Sequence, residues 1–251
     1  MIEIPASDLN LEKLFDPYQP NSPALWAVLK GNHPGKALVD QADYPAQCVL
    51  RTEAVLTYFS KQVRQSFLNE AVETFRGRGP IWLVWPHETS LCPPKIGSAV
   101  NRIEFYETDP GILQEWRKQL PKECVIQAID EQLLERCEWQ SEMEFYAGSI
   151  GNFLKHGLGI CVLQGDEIIV EAYASALGKD RAEIGAITHG TYRGQGFAPI
   201  ACAYLIEECE QRGYQAYWSC DADQTASIRV AQKLGFQHKH TYQIIECEAL
   251  L

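Results

Sequence analysis

The clearest alternation of apolar and polar positions lies in the second half of the chain. Leu158–Leu163 and Glu167–Ala176 are two apolar-rich runs around the turn Gln164-Gly165-Asp166, which predicts a β-hairpin. Arg181–Thr188 predicts a third strand. After a loop, His189–Gln195, apolar residues at 197, 200, 201, 204 and 205 recur at the helical period. They predict an amphipathic helix over Phe197–Arg212, stopped by Gly213. Tyr214–Ser219 then reads as a strand, Gln224–Leu234 as a helix closed by Gly235, and Gln237–Cys247 as a final strand. Upstream, Glu138–His156 predicts one helix ending at Gly157, while Glu123–Leu134 mixes strand and helix signals.

The first 110 residues read as a mixed α/β region. Ser22-Pro23 followed by Ala24–Leu29 predicts a capped, short amphipathic helix. Gly35–Asp40 and Gln47–Arg51 read as strands separated by turn residues. Val63, Phe67, Ala71 and Phe75 recur every four residues and predict a helix over Lys61–Phe75. Ile81–Trp85 is a short buried strand, with Trp82 and Trp85 expected in the core, and His87–Ile96 is a Pro-, Ser- and Thr-rich connector. Two domains are expected, 1–110 and 111–251.

Composition narrows the classes. The 251 residues carry 22 Lys and Arg against 33 Asp and Glu, a net charge of −11, with 46% hydrophobic residues. This is a globular balance, and its sign disfavours a nucleic-acid partner, whose binding is mainly phosphate neutralisation. The longest apolar stretch, Phe197–Ile206, is about half of what a bilayer span needs, so no membrane association is expected. The start, MIEIPASDLN, has no basic and apolar leader pattern, so a cytoplasmic location is expected. The nine cysteines are scattered without any CxxC, which points to reduced core residues and to no metal site.

The segment from Ala182 to Ala198 carries the chemistry. A strand runs into a turn holding Arg193, Gly194, Gln195 and Gly196, and the turn opens directly into the helix beginning Phe197-Ala198. The first amides of a helix lack intrahelical partners and point outward along a favourable dipole, so this turn suits a pyrophosphate. A similar spacing at Arg76-Gly-Arg-Gly79-Pro80 follows a helix and precedes a strand, and there the glycines read as a helix stop. Asp221-Ala-Asp223 reads as a helix cap.

Arg193-x-x-Gly196-x-Ala198 resembles the R/Q-x-x-G-x-G/A signature of the GNAT superfamily of acyl-CoA-dependent N-acyltransferases. Gln224-x-x-Ser227-x-x-x-Ala231-x-Lys233-Leu234-Gly235-Phe236 resembles that family's second signature, and the element order after residue 120 is also similar. Glu183–Phe236 resembles in particular a bacterial subgroup that includes an enzyme acetylating an aminopolyol antibiotic. The resemblance implies an α/β (α+β) fold with a mixed, mainly antiparallel sheet flanked by helices. Residues 1–110 would be a degenerate second copy of it, serving the acceptor pocket or a homodimer.

The resemblance further implies acetyl-CoA as co-substrate and a small amine-bearing acceptor. The strand carrying Ile187 and Thr188 would splay from Tyr214–Ser219 to admit the pantetheine arm. The 193–198 amides would hold the pyrophosphate, with Gln224 and Ser227 nearby, and an N–H near Ile187 would stabilise the oxyanion. Glu183 is the expected general base, His189 the alternative and Glu171 a third. One departure is Ala231, where many members have a tyrosine that protonates the leaving thiolate. Tyr173, Tyr204 or Tyr217 would then substitute, or the thiolate leaves unprotonated. Two rival readings are an inactive CoA-binding sensor, which Ala231 favours, and an acetyltransferase acting on proteins or peptides.

Overall fold

The computed structural model describes residues 1–8, 11–86 and 88–250; His87, at the start of the expected connector, lies outside them. The first half contains β1 (Ile2–Pro5), a 3-10 turn at Glu12–Leu14, α1 (Ser22–Leu29), β2 (Gly35–Val39), β3 (Cys48–Thr52), β4 (Leu56–Phe59), α2 (Gln65–Arg76), β5 (Ile81–Trp85) and β6 (Ser98–Tyr106). Next come α3 (Pro110–Arg117), β7 (Cys124–Ala128), α4 (Glu131–Leu134), α5 (Gln140–Ala147) and α6 (Ile150–His156). The remainder is β8 (Leu158–Gln164), β9 (Glu167–Gly178), β10 (Arg181–Thr188), α7 (Phe197–Gln211), β11 (Gln215–Asp221), α8 (Thr225–Lys233) and β12 (His238–Cys247).

Among the described residues, all twelve strands join one sheet in the order β1-β2-β3-β4-β5-β12-β6-β11-β10-β9-β8-β7. Two pairings are parallel, β4 with β5 and β10 with β11. Each needs a crossover, and α2 and α7 supply them. The centre of the sheet interleaves the halves. β12, from the end of the chain, lies between β5 and β6, while β6 lies between β12 and β11. The sheet is therefore mixed and mainly antiparallel, with helices against it, as the resemblance implied.

The helices differ from their expected form where packing decides. α1 is buried along its whole length and is not amphipathic. Gly178 of β9 lets it approach closely: a Cβ there would lie 2.1 Å from the Pro23 carbonyl oxygen. Ser22 is the first helical residue, and the cap position belongs to Asn21, in the left-handed region at φ 54°. The span Glu138–His156 holds two helices, because Gly148 turns left-handed (φ 83°) against Pro34 and the Ser149 hydroxyl caps the next helix at Asn152 N (3.1 Å). In Glu123–Leu134 both signals are real, giving β7 and α4. α7 is enclosed by the sheet, α3 and α8, so it buries residues well beyond the expected stripe, Cys202 and Ala203 among them. Arg76–Pro80 is the expected helix end and turn.

Candidate active site

The site begins where two strands part. β10 and β11 pair at three positions only: Arg181 with Gln215, Ala182 with Ala216, and Glu183 with Tyr217. Beyond Glu183, β10 continues on β9, and beyond Tyr217, β11 continues on β6. The register of β10 on β9 shifts between Glu183 and Ile184, with Ser175 as the extra residue. Such a bulge bends and twists its strand. The resulting wedge has the Ile184–Thr188 main chain along one wall, where an extended ligand could add as a further strand.

At the top of the wedge, His189 leads into a 3-10 turn at Gly190–Tyr192, then Arg193 and the start of α7. Gly194 (φ 79°) and Gly196 (φ 90°) adopt the left-handed region, which a residue with a Cβ enters only at a cost. This backbone aims the first amides of α7, including Phe197 and Ala198, out of the helix. With the dipole of a 15-residue helix behind them, they are arranged as an anion site requires. Arg193 folds back, its Nε donating to the Thr188 carbonyl (2.9 Å), and the Gln195 amide donates to the Thr191 carbonyl (2.9 Å). Gln224 caps α8 without a side-chain bond, and the Ser227 hydroxyl accepts from Trp218 Nε1 (2.9 Å). Asp221 does not cap that helix; it pairs with Arg102 at 2.6 Å.

At the narrow end of the wedge, Glu183 is surrounded by protein but keeps part of its surface accessible. Its carboxyl is pushed up to about 7, chiefly by burial and also by the Glu104 charge, against the opposing pull of Arg102 and the Ser175 hydroxyl. Tyr146, beside it, is raised to about 12 by burial and by Glu183 itself.

His189 and Glu171 have other partners. Glu171 is fully buried and accepts from the amides of Glu138 (2.6 Å) and Trp139 (3.1 Å), and His189 Nε2 lies 2.5 Å from its Oε1. The pair ties the start of the anion loop to the segment entering α5. His189 is thus six residues beyond Glu183 on the strand and already engaged. Tyr204 donates to the Arg117 carbonyl (3.3 Å), Tyr217 donates to Glu104, and Ala231 is buried. Tyr217 and Trp218 are both buried, and of the two tryptophans expected in the core Trp85 is buried and Trp82 partly so.

Sequence reasoning missed a second group around Glu183. Asn21, Glu104, Tyr58, Tyr217 and Tyr242 are buried and joined by hydrogen bonds. The alternation of Ile103 and Phe105 with Arg102 and Glu104 is the one strand signal for β6 in the sequence, and nothing local to it shows that Glu104 is buried. Among the described residues, no three His, Cys, Asp or Glu side chains cluster as a metal would need. No helix there is long and apolar enough to cross a membrane.

A profile of the GNAT acetyltransferase family matches residues 12–245. The chain belongs to that family. A relative from Bacillus subtilis (strain 168), the uncharacterized N-acetyltransferase YdfB, is 34% identical over 231 residues, covering 88% of each chain. This GNAT chain is accordingly an acetyl-CoA-dependent N-acetyltransferase. Its fold is similar to that of a GCN5-related N-acetyltransferase-like protein from Streptococcus suis 89/1591, at TM-score 0.65 and 23% identity over 94% of this chain and 96% of that one. It is also similar to a tandem GNAT protein from the clavulanic acid biosynthesis pathway, at TM-score 0.59 and 10% identity over 98% and 93%.

Proposed function

We propose that this acetyltransferase acylates a primary amine of a small, cationic acceptor, with Glu183 as general base. The observation that carries the reading is the position of Glu183 where β10 and β11 part, with its carboxyl raised to about 7 by burial. A base is most effective when its pKa lies near the working pH. The acceptor arrives as an ammonium ion, and the Glu183 carboxylate takes one proton from it. The free amine attacks the thioester carbonyl, a C–N bond forms, the nitrogen gives up one further proton to water or to the departing thiolate, and the C–S bond breaks. A main-chain N–H near Ile187 stabilises the charge developing on the thioester oxygen. The hydroxyls of Tyr204 and Tyr217 are engaged elsewhere, which leaves Tyr173 to protonate the thiolate, or the thiolate departs as the anion or takes a proton from water.

In this reading Ile187 and Thr188 pair with the pantetheine arm, and the amides at Arg193, Gly194, Gln195, Gly196, Phe197 and Ala198 bind the pyrophosphate. Gln224 and Ser227, at the start of α8, border the same ligand. Residues 1–110 are a degenerate second copy of the GNAT unit that closes the acceptor pocket. The parallel β4–α2–β5 unit, matching β10–α7–β11, supports this. Tyr58 from the first half and Tyr146 and Tyr173 from the second hem in Glu183, which favours a small acceptor over a peptide laid in a groove.

The test is acetyl transfer from acetyl-CoA to a panel of polyamines, aminoglycosides, amino acids and lysine peptides, with wild type and Glu183→Gln. Turnover of a small amine that the substitution abolishes supports the reading. Turnover of lysine peptides alone, or full activity of Glu183→Gln, contradicts it.

A further inference from the structure

Asn21 sits in the left-handed region, at φ 54° and ψ 35°, which asparagine enters more readily than most residues with a Cβ, and it is 3% exposed. Its polar groups meet partners from four strands. Its N–H reaches Glu104 Oε2 (3.2 Å) and the Tyr217 hydroxyl (3.0 Å). Its Nδ2 donates to the Tyr242 hydroxyl (3.2 Å), and the Tyr58 hydroxyl lies 3.0 Å from both its Oδ1 and its carbonyl oxygen. Non-glycine residues persist in this region when their surroundings over-determine them, and such positions cluster at functional sites.

Glu104 is the charged member of the set. It is 4% exposed, accepts from Tyr217 and from Asn21 N, and has His240 Nδ1 3.3 Å from its Oε1. Tyr217 also stands across from Glu183 on the neighbouring strand. The array therefore connects the first half of the chain to the place where Glu183 meets its substrate.

The segment that carries Asn21 is available for this because it closes the first half's own cleft. β4 and β5 pair at two positions, Leu56 with Trp82 and Thr57 with Leu83. Past them the Ser60 amide donates to the Cys48 carbonyl (2.9 Å) and the Lys61 amide to the Leu14 carbonyl (3.0 Å). The Ser60 donor continues the ladder to β3, whereas the Lys61 donor is taken by residue 14 of the same chain.

We infer that Asn21 and Glu104, both from the first half, are positioning residues for the acetyl transfer, fixing the charge and the hydroxyl array that face Glu183. The inference rests on Glu183 being the base. The groups around that carboxyl come from every element packed on it. Arg102 and Glu104 lie on β6, Tyr58 on β4, Tyr217 on β11 and Tyr242 on β12. Tyr173 lies on β9 and Tyr146 on α5, with Glu142 behind it. Two isosteric changes alter the charge of this array in opposite directions. Glu104→Gln removes a negative charge, and Asn21→Asp adds one at a backbone conformation that aspartate tolerates.

The experiment is a carbon-13 NMR titration of the full chain labelled at glutamate side chains, with the Glu183 signal assigned by its loss in Glu183→Gln. A midpoint lowered by about half a pH unit in Glu104→Gln and raised by a similar amount in Asn21→Asp supports the inference. A change that merely loosens the fold has no reason to move the midpoint in both directions. Midpoints that stay put in both variants, or move the same way, overturn it. Full turnover in Glu183→Gln sinks the base assignment separately, whatever the midpoints do.

Discussion

Glu183 and Tyr217 face each other at the last position where β10 and β11 pair, and the two strands diverge directly beyond them. Tyr217 turns its hydroxyl to Glu104, while Glu183 has no ion pair among the described residues and its carboxyl is raised to about 7. One position on the sheet thus combines an opening and the proposed base.

The first prediction concerns stability. The folded Glu183 carboxyl titrates near 7, above its ordinary 4.5, so the folded state binds the proton more tightly than the unfolded chain. Stability from this group is fully present below about pH 4.5 and declines as pH rises through 7. Glu183→Gln, which stays neutral, is expected to raise Tm at pH 8 relative to wild type and to leave it nearly unchanged at pH 4. Differential scanning calorimetry at the two pH values reads the difference, and equal effects at both would argue against a raised carboxyl.

A second prediction separates anion binding from turn geometry. Gly194→Ala and Gly196→Ala place a Cβ at φ 79° and 90°, a conformation costing about 1–2 kcal/mol, in the loop proposed to hold the pyrophosphate. Acetyl-CoA affinity is expected to fall about tenfold or more by titration calorimetry. Gly165→Ala, at φ 58° in the β8–β9 turn, is the control, with a similar loss of stability and unchanged affinity. Equal affinity in all three variants would make the 194–196 loop a turn and nothing more.

Sequence and structure agree most closely where local pattern and packing point the same way. The hairpin at Gly165, β10 at Arg181–Thr188 and the glycine turn into α7 were all legible, because each depends on residues near one another in the chain. β6 escaped notice. It follows a Pro- and Ser-rich stretch, and its alternation covers only Arg102 to Phe105 before Tyr106 ends the strand. Its place between β11 and β12 comes from pairing across more than a hundred residues, which no local pattern encodes. Asn21, next to the cap expected at Ser22, was not singled out for the same reason: the tyrosines and the glutamate that hold it lie far away in sequence.

The third prediction addresses the buried clamp at the mouth of the loop. Glu171→Ala leaves the amides of Glu138 and Trp139 unpaired and leaves His189 only the Glu138 carboxylate, 3.6 Å from its Nδ1. Leaving buried donors unpaired costs about 1–3 kcal/mol each, so a marked drop in Tm is expected. His189→Gln is expected to retain turnover within about tenfold, because the general-base contribution of about 10² or more rests on Glu183. A loss of a thousandfold in His189→Gln would return His189 to the base role.

The fourth prediction tests how the halves are joined. Gly178→Ala drives a Cβ into the Pro23 carbonyl and the Ala27 amide, rigid backbone of α1 that cannot swing aside. A loss of at least 1–3 kcal/mol is expected by urea denaturation. A neutral result would mean that α1 does not pack on β9 as closely as described.

The most direct test of the central claim is the pH dependence of kcat/KM between pH 5.5 and 8.5 for a primary amine the enzyme acetylates. Glu183 must be ionised to accept the proton, so wild-type activity is expected to rise with pH along an acid limb with a midpoint near 7. Glu183→Gln is expected to lose that limb and about a hundredfold or more of the rate. A Glu183→Gln enzyme that keeps both the wild-type rate and the same limb would contradict the account.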